Sequence, residues 1–149
     1  LIPTATKLAE LRSTLTARTC VVALAGLLLV ACQSATPGPG NQTANSSDRA
    51  LTTMERIARA ASRCWFKSGD KRFRAYRLAP ELNSFSGRPR ILLVPASRPE
   101  DRPLAVIEAK GDPATIEAYG PLMSAPVGNR IAADIKNWAG GSTTCGVTS

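Results

Sequence analysis

From residue 48 to residue 66, apolar side chains recur at helical spacing. Leu51, Met54, Ile57, Ala58, Ala61, Cys64 and Trp65 fall on one stripe, with Arg49, Arg56, Arg59 and Arg63 nearly opposite. This predicts an amphipathic helix over about 49–66, begun by a capping box of Thr52 and Glu55 or by Asp48 one turn earlier, and stopped by Ser68-Gly69-Asp70. Shorter runs follow. Arg72 to Leu78 has strand-like residues with imperfect alternation, and Ser86-Gly87-Arg88-Pro89 reads as a turn. Arg90 to Val94 is the best buried strand. After a polar loop from Pro95 to Pro103, Leu104 to Ala109 forms a further strand, closed by Lys110-Gly111-Asp112-Pro113. Thr115 to Tyr119 alternates as an edge or half-buried strand. Asn129 could cap a last helix carrying Ile131, Ile135 and Trp138, with Gly140-Gly141 as its stop. The order is helix, three or four strands, helix. Short connections favour antiparallel pairing, and the apolar helix faces would cover one side of the sheet, an α+β arrangement.

Upstream of this domain the pattern is different. Val21 to Ala31 is apolar or small throughout and ends in Leu29-Val30-Ala31-Cys32, after which Gln33 to Ser47 carries no charge. A run of about a dozen residues is too short to cross a bilayer, which takes about 20, and no basic stop follows it. The stretch resembles the signal peptide of a bacterial lipoprotein, with Leu29 to Cys32 as the lipobox. The resemblance implies a signal peptide over 1–31, its n-region (1–18) carrying Lys7, Arg12 and Arg18 and its h-region spanning 19–31. It also implies lipid, palmitate included, on Cys32. Gln33, where aspartate would retain such proteins at the inner membrane, implies outer-membrane sorting with the domain facing the periplasm or exterior. The competing reading is an uncleaved anchor or a buried helix. Residues 32–47 read as a lipidated cysteine and a flexible tether reaching about 20–25 Å, ahead of a domain over 48–149. Asn41-Gln42-Thr43 and Asn45-Ser46-Ser47 match glycosylation acceptors, chance matches behind a bacterial leader.

That resemblance also sorts the cysteines. Cys20 leaves with the leader and Cys32 takes lipid, so Cys64 and Cys145 remain with one possible pairing. An oxidising compartment favours a disulfide between them, and two separate buried thiols are the alternative. No C-x-x-C motif points to redox chemistry.

Charge narrows the partners. The chain has 19 basic and 11 acidic side chains, net +8. Without Lys7, Arg12, Arg18 and Glu10 of the leader, 16 against 10 remain, net +6. Such a product is drawn to anionic lipid, lipopolysaccharide or peptidoglycan. The charge is concentrated in Arg56, Arg59, Arg63, Lys67, Lys71, Arg72, Arg74 and Arg77, against Asp70 alone. Phe73 and Tyr76 interleave with these bases, a composition that suits nucleic acid, but export removes the domain from it. The choice is between a patch holding the domain to an anionic surface and a solvated face that keeps it soluble.

Catalysis has little to stand on. With no histidine, the serine and cysteine triads and histidine metal sites are absent. Two thiols cannot make a four-ligand zinc site, and no cofactor motif appears. Pro37-Gly38-Pro39-Gly40 lacks the context of a phosphate loop. Glu81, Glu108, Asp112, Glu117 and Asp134 are carboxylates a glycosidase could pair, yet they read as solvated or structural positions. A serine–lysine dyad has no motif. The sequence therefore points to a lipid-anchored, non-catalytic envelope protein binding anionic membrane or wall components. The alternative is an inhibitor or immunity-type lipoprotein directed at another envelope protein, although a basic inhibitor would repel basic lysozymes.

Overall fold

Burial alternates along Ala105–Lys110 and Thr115–Tyr119, whereas residues 91–94 between them and the first long helix are buried without interruption. A computed structural model describes residues 36–146. The lipobox and Cys32 lie outside the described residues. Strands β1 (Gln42–Asn45), β2 (Tyr76–Glu81), β3 (Arg90–Pro95), β4 (Ala105–Lys110) and β5 (Thr115–Tyr119) form one antiparallel sheet in the order β1-β5-β4-β3-β2. Helices α1 (Ala50–Ala61) and α2 (Val127–Ala139) complete an α+β fold.

The register sorts side chains into two faces. Pro80, Ile91, Ile107, Ala118 and Gln42 align in one row on the helix side, with Leu78, Leu93 and Ala105 beside them. Met54, Ile57, Trp65, Ile131, Ile135 and Trp138 close the core over these rows. The other face carries Ala79, Leu92, Val106 and Tyr119 beside a row of Glu81, Arg90, Glu108, Glu117 and Thr43. Glu108 and Glu117 stand directly opposite each other, a pairing that destabilises unless neutralised. Arg88 reaches Glu108 at 3.5 Å and Lys110 reaches Glu117 at 2.7 Å.

The expected tether over 33–47 is corrected at its C-terminal part. Gln42–Asn45 is the fifth strand, one more than the three or four expected, and it turns Thr115–Tyr119 from an edge into an interior strand. Its sheet bonds come from the backbone, and of its two half-buried side chains, Gln42 and Ala44, only Ala44 is apolar, so composition carries little trace of it. The preceding turn is also anchored, Gly38 and Gly40 donating to the carbonyls of Ser124 and Met123 at 3.0 and 3.1 Å. A Cβ on Gly38 would collide with the carbonyls of Ala125 and Met123, so glycine is required there.

The first helix follows expectation in place but not in detail. Neither Thr52–Glu55 nor Asp48 caps it; Arg49 occupies the N-cap position without a side-chain capping bond, its Nε donating instead to Thr52 Oγ1 at 3.2 Å. Asp48 is instead held by Arg56 at 2.6 Å. From Ser62 to Lys67 the helix widens to π geometry, with Ser68 N–H donating to the Arg63 carbonyl at 3.0 Å. The strand expected over Arg72 to Leu78 begins later, at Tyr76. Asp70 accepts from the Arg72 backbone N–H and caps a 3-10 turn over Lys71–Phe73, which delivers Phe73 to the core. There Phe73 stacks on Trp65 with centroids 4.7 Å apart.

The last helix starts at Val127, and Asn129 does not cap it; its amide donates to the Pro37 carbonyl at 3.1 Å. Ile131, Ile135 and Trp138 are buried as their spacing predicts. Beyond Gly141, at φ +98°, the tail returns to place Cys145 in a disulfide with Cys64, Cα atoms 5.3 Å apart.

Candidate functional site

The eight clustered bases do not form one patch. Arg56 belongs to the fold: its Nε donates to the Trp138 carbonyl at 2.8 Å, one guanidinium nitrogen to Asp48 at 2.6 Å, and the other to Ser46 Oγ at 3.2 Å and the Ala139 carbonyl at 3.4 Å. It satisfies the last carbonyls of α2, where a cation also meets the negative end of the helix dipole. As a surface-patch residue it is therefore corrected, because its side chain is only 14% exposed. Arg72 folds back on Asp70, with bonds of 2.9 and 2.8 Å to the two carboxylate oxygens. That side-chain bonding holds the Asp70 carboxyl below the usual carboxylate range, against a smaller opposing effect of burial. Arg77 points to the sheet face away from the helices, as its pairing with Val94 requires. Lys71 and Arg74 are exposed on the turn before β2.

Arg59, Arg63 and Lys67 do come together. They rim a groove of about 640 Å³ between the outer side of the first helix and strand β2. Ala58, Leu78, Pro80 and Leu82 supply its apolar lining, and Glu55 and Ser62 complete the wall. The groove exists because α1 packs over β3 and β4 while the sheet continues one strand further. The π segment carries Arg63 and Lys67 outward while Cys64 and Trp65 stay buried. Arg59 pairs loosely with Glu55 at 3.8 Å, its side chain 71% exposed. Arg63 donates to the Thr143 carbonyl in the tail tied down by Cys145.

Four of the five candidate carboxylates have side-chain partners. Glu81 accepts from Arg90 at 2.6 Å, and Tyr119 O–H donates to Glu108 at 3.5 Å. Burial, then the charge of Glu108, raises the Tyr119 pKa. The hydrogen bond from Lys110 lowers that of Glu117. Asp134 lies in the core, accepting from Trp65 Nε1 at 2.7 Å and from Arg130 Nε at 2.5 Å. Asp112 sits in the turn before β5. Among the described residues, no group of three histidine, cysteine or acidic side chains converges on a metal position, and no helix is long and apolar enough to span a membrane.

Sequence reasoning found the basic rim but missed the apolar floor, since Leu78, Pro80 and Leu82 sit in and after a strand it placed too early. Pro80 was the available signal, because proline within a strand marks an edge. No protein-family model, curated protein or solved structure matches the chain.

Proposed function

We propose that this chain is a lipid-anchored protein of the bacterial cell envelope whose α+β domain works without catalysis, holding an anionic partner against the groove. The anchor rests on Leu29 to Cys32. The observation that carries the binding role is the groove itself, with Arg59, Arg63 and Lys67 above an apolar lining. Anionic lipid, lipopolysaccharide and peptidoglycan are the partner classes that charge alone recommends, each base contributing at most about 1 kcal/mol near such a surface. The inhibitor or immunity reading gains support from one feature, the outer edge of β2 alongside the groove, which no strand among the described residues pairs.

Two measurements test this. Palmitate should label the wild type and not Cys32→Ala, and label persisting on the variant would end the lipoprotein reading. The paired charge reversal Arg59→Glu and Arg63→Glu should abolish low-salt retention of Cys32→Ala protein on envelope fractions. Unchanged retention would remove the groove from the function. Arg56 stays intact in this test, because its loss would damage the fold.

A further inference from the structure

The free edge of β2 runs beside the basic groove, and its hydrogen-bonding pattern can be read from the register. Ala96 N–H donates to the Ala75 carbonyl at 2.8 Å, so the pairs two and four residues on, Arg77 with Val94 and Ala79 with Leu92, bond inward. Ala109 N–H to the Pro89 carbonyl, at 3.0 Å, gives the same phase from the other side of β3. Tyr76, Leu78 and Pro80 therefore turn their backbone groups toward the open edge. That edge offers two donors, at Tyr76 and Leu78, and three acceptors, since Pro80 has no N–H. Among the described residues no strand pairs with it.

The side chains of these same residues point to the helix side, and Leu78 and Pro80 line the groove. A second cavity of about 240 Å³, bordered by Phe66, Arg74 and Tyr76, lies along the same edge. A strand laid about 4.8 Å beyond β2 would fill both spaces. Its side chains would alternate between the groove and the opposite face. One turned inward at Leu78 would meet an apolar lining, and its inward neighbours would come within reach of Arg59, Arg63 and Lys67.

We propose that an extended, acidic segment of another protein adds antiparallel to β2 as a sixth strand, with an acidic–apolar–acidic series on its groove-facing positions. This rests on the anion-binding role of the groove and names its partner. Every existing pair in the sheet is antiparallel. Edge pairing supplies affinity through main-chain bonds and specificity through alternate side chains. A lipid could use the bases and the apolar lining but leaves the Tyr76 and Leu78 donors idle.

The test uses the full-length chain in non-ionic detergent and a capped heptapeptide, Thr-Glu-Thr-Val-Thr-Glu-Thr. In the antiparallel register the amides that bond to β2 belong to the groove-facing residues, glutamate and valine. Methylating those nitrogens should weaken binding at least tenfold, whereas the same number of methyls on threonine nitrogens should change it less than threefold. Hydrogen exchange at the Tyr76 and Leu78 amides should slow at least tenfold with the peptide bound. Arg59→Glu with Arg63→Glu should weaken the unmodified peptide at least tenfold. Equal or reversed effects of the two methylation patterns, or unchanged exchange, would overturn strand addition. Micelles doped with phosphatidylglycerol separate the two levels. Their binding to wild type and not to the charge-reversed protein, with no peptide binding, sinks the proposal and spares the anion-binding reading. Binding of neither ends both.

Discussion

Replacing Arg56 should cost more stability than replacing any other base of the cluster. Its guanidinium makes three bonds of 2.6 to 3.2 Å, to the Trp138 carbonyl, Asp48 and Ser46, and a longer one to Ala139. Bonds to charged groups contribute about 1.5–3 kcal/mol each; at the low end, three give about 4.5. Asp48 is 43% exposed, so solvent screens its share. Water entering the vacated site recovers some of the carbonyl bonding. Arg56→Ala should therefore lose about 3 kcal/mol, or about 12 °C in Tm at about 4 °C per kcal/mol for a domain near 110 residues. Arg56→Lys should recover only part, because a single ammonium cannot bridge acceptors on three segments. Arg59→Ala is the control. Its ion pair is long and exposed and should be worth no more than about 0.5 kcal/mol. Urea unfolding at neutral pH, followed by circular dichroism on oxidised protein, gives both values. Arg56→Ala within about 0.5 kcal/mol of wild type, or Arg59→Ala matching it, would refute the assignment of Arg56 to the fold.

The disulfide closes a sequence separation of 81 residues, and chain entropy sets an upper figure of about 4.5 kcal/mol for its loss. Joint Cys64→Ala and Cys145→Ala should approach that in urea unfolding, and a cost below about 1 would mean the tail contributes little. Trp65→Phe removes a donor from Asp134, whose side chain is 3% exposed, and should cost about 1.5–3 kcal/mol by the same assay. A neutral outcome would mean that Asp134 does not depend on that bond. Asp70, its carboxyl depressed by Arg72, stabilises the fold at pH above its ordinary value of 3.8, and that stabilisation fades as pH falls through the lower folded value. The stability gap between wild type and Arg72→Met should thus be steady near neutral pH and narrow below 3.8; a gap constant into acid would disprove the coupling.

The core was legible because burial leaves a period. The stripe from Met54 to Trp65 and the spacing of Ile131, Ile135 and Trp138 located both helices, and uninterrupted apolar residues located β3. Features built from backbone bonds left no such mark. Strand β1 has one apolar core-facing side chain, and nothing about Asn41 to Asn45 separates an edge strand from a tether. The caps failed for a related reason. Thr52 and Asp48 have suitable chemistry, but Asp48 was already engaged by Arg56, a partner whose position depends on the far end of α2. The groove was half visible. Its cationic rim lies on one helix, while its lining needs the register of β2, which only the tertiary structure fixes.

The basic cluster shows why helical phase identifies a face but not its use. Arg56 and Arg63 are seven residues apart, about 20° short of two full turns, so a helical wheel places them together. They differ by about 10 Å along the axis, at about 1.5 Å per residue. At the level of Arg56 the C-terminal carbonyls of α2 are waiting, and the side chain is consumed by them. At the level of Arg63 that helix has ended; one bond to the tail remains, and the rest of the guanidinium faces the groove beside Arg59 and Lys67. The same periodic charge therefore stabilises the fold at one height and equips a surface at the next. Net charge cannot separate these roles, so a variant that reverses Arg56 along with its neighbours would confuse unfolding with loss of binding. Reversing Arg59 and Arg63 alone isolates the surface.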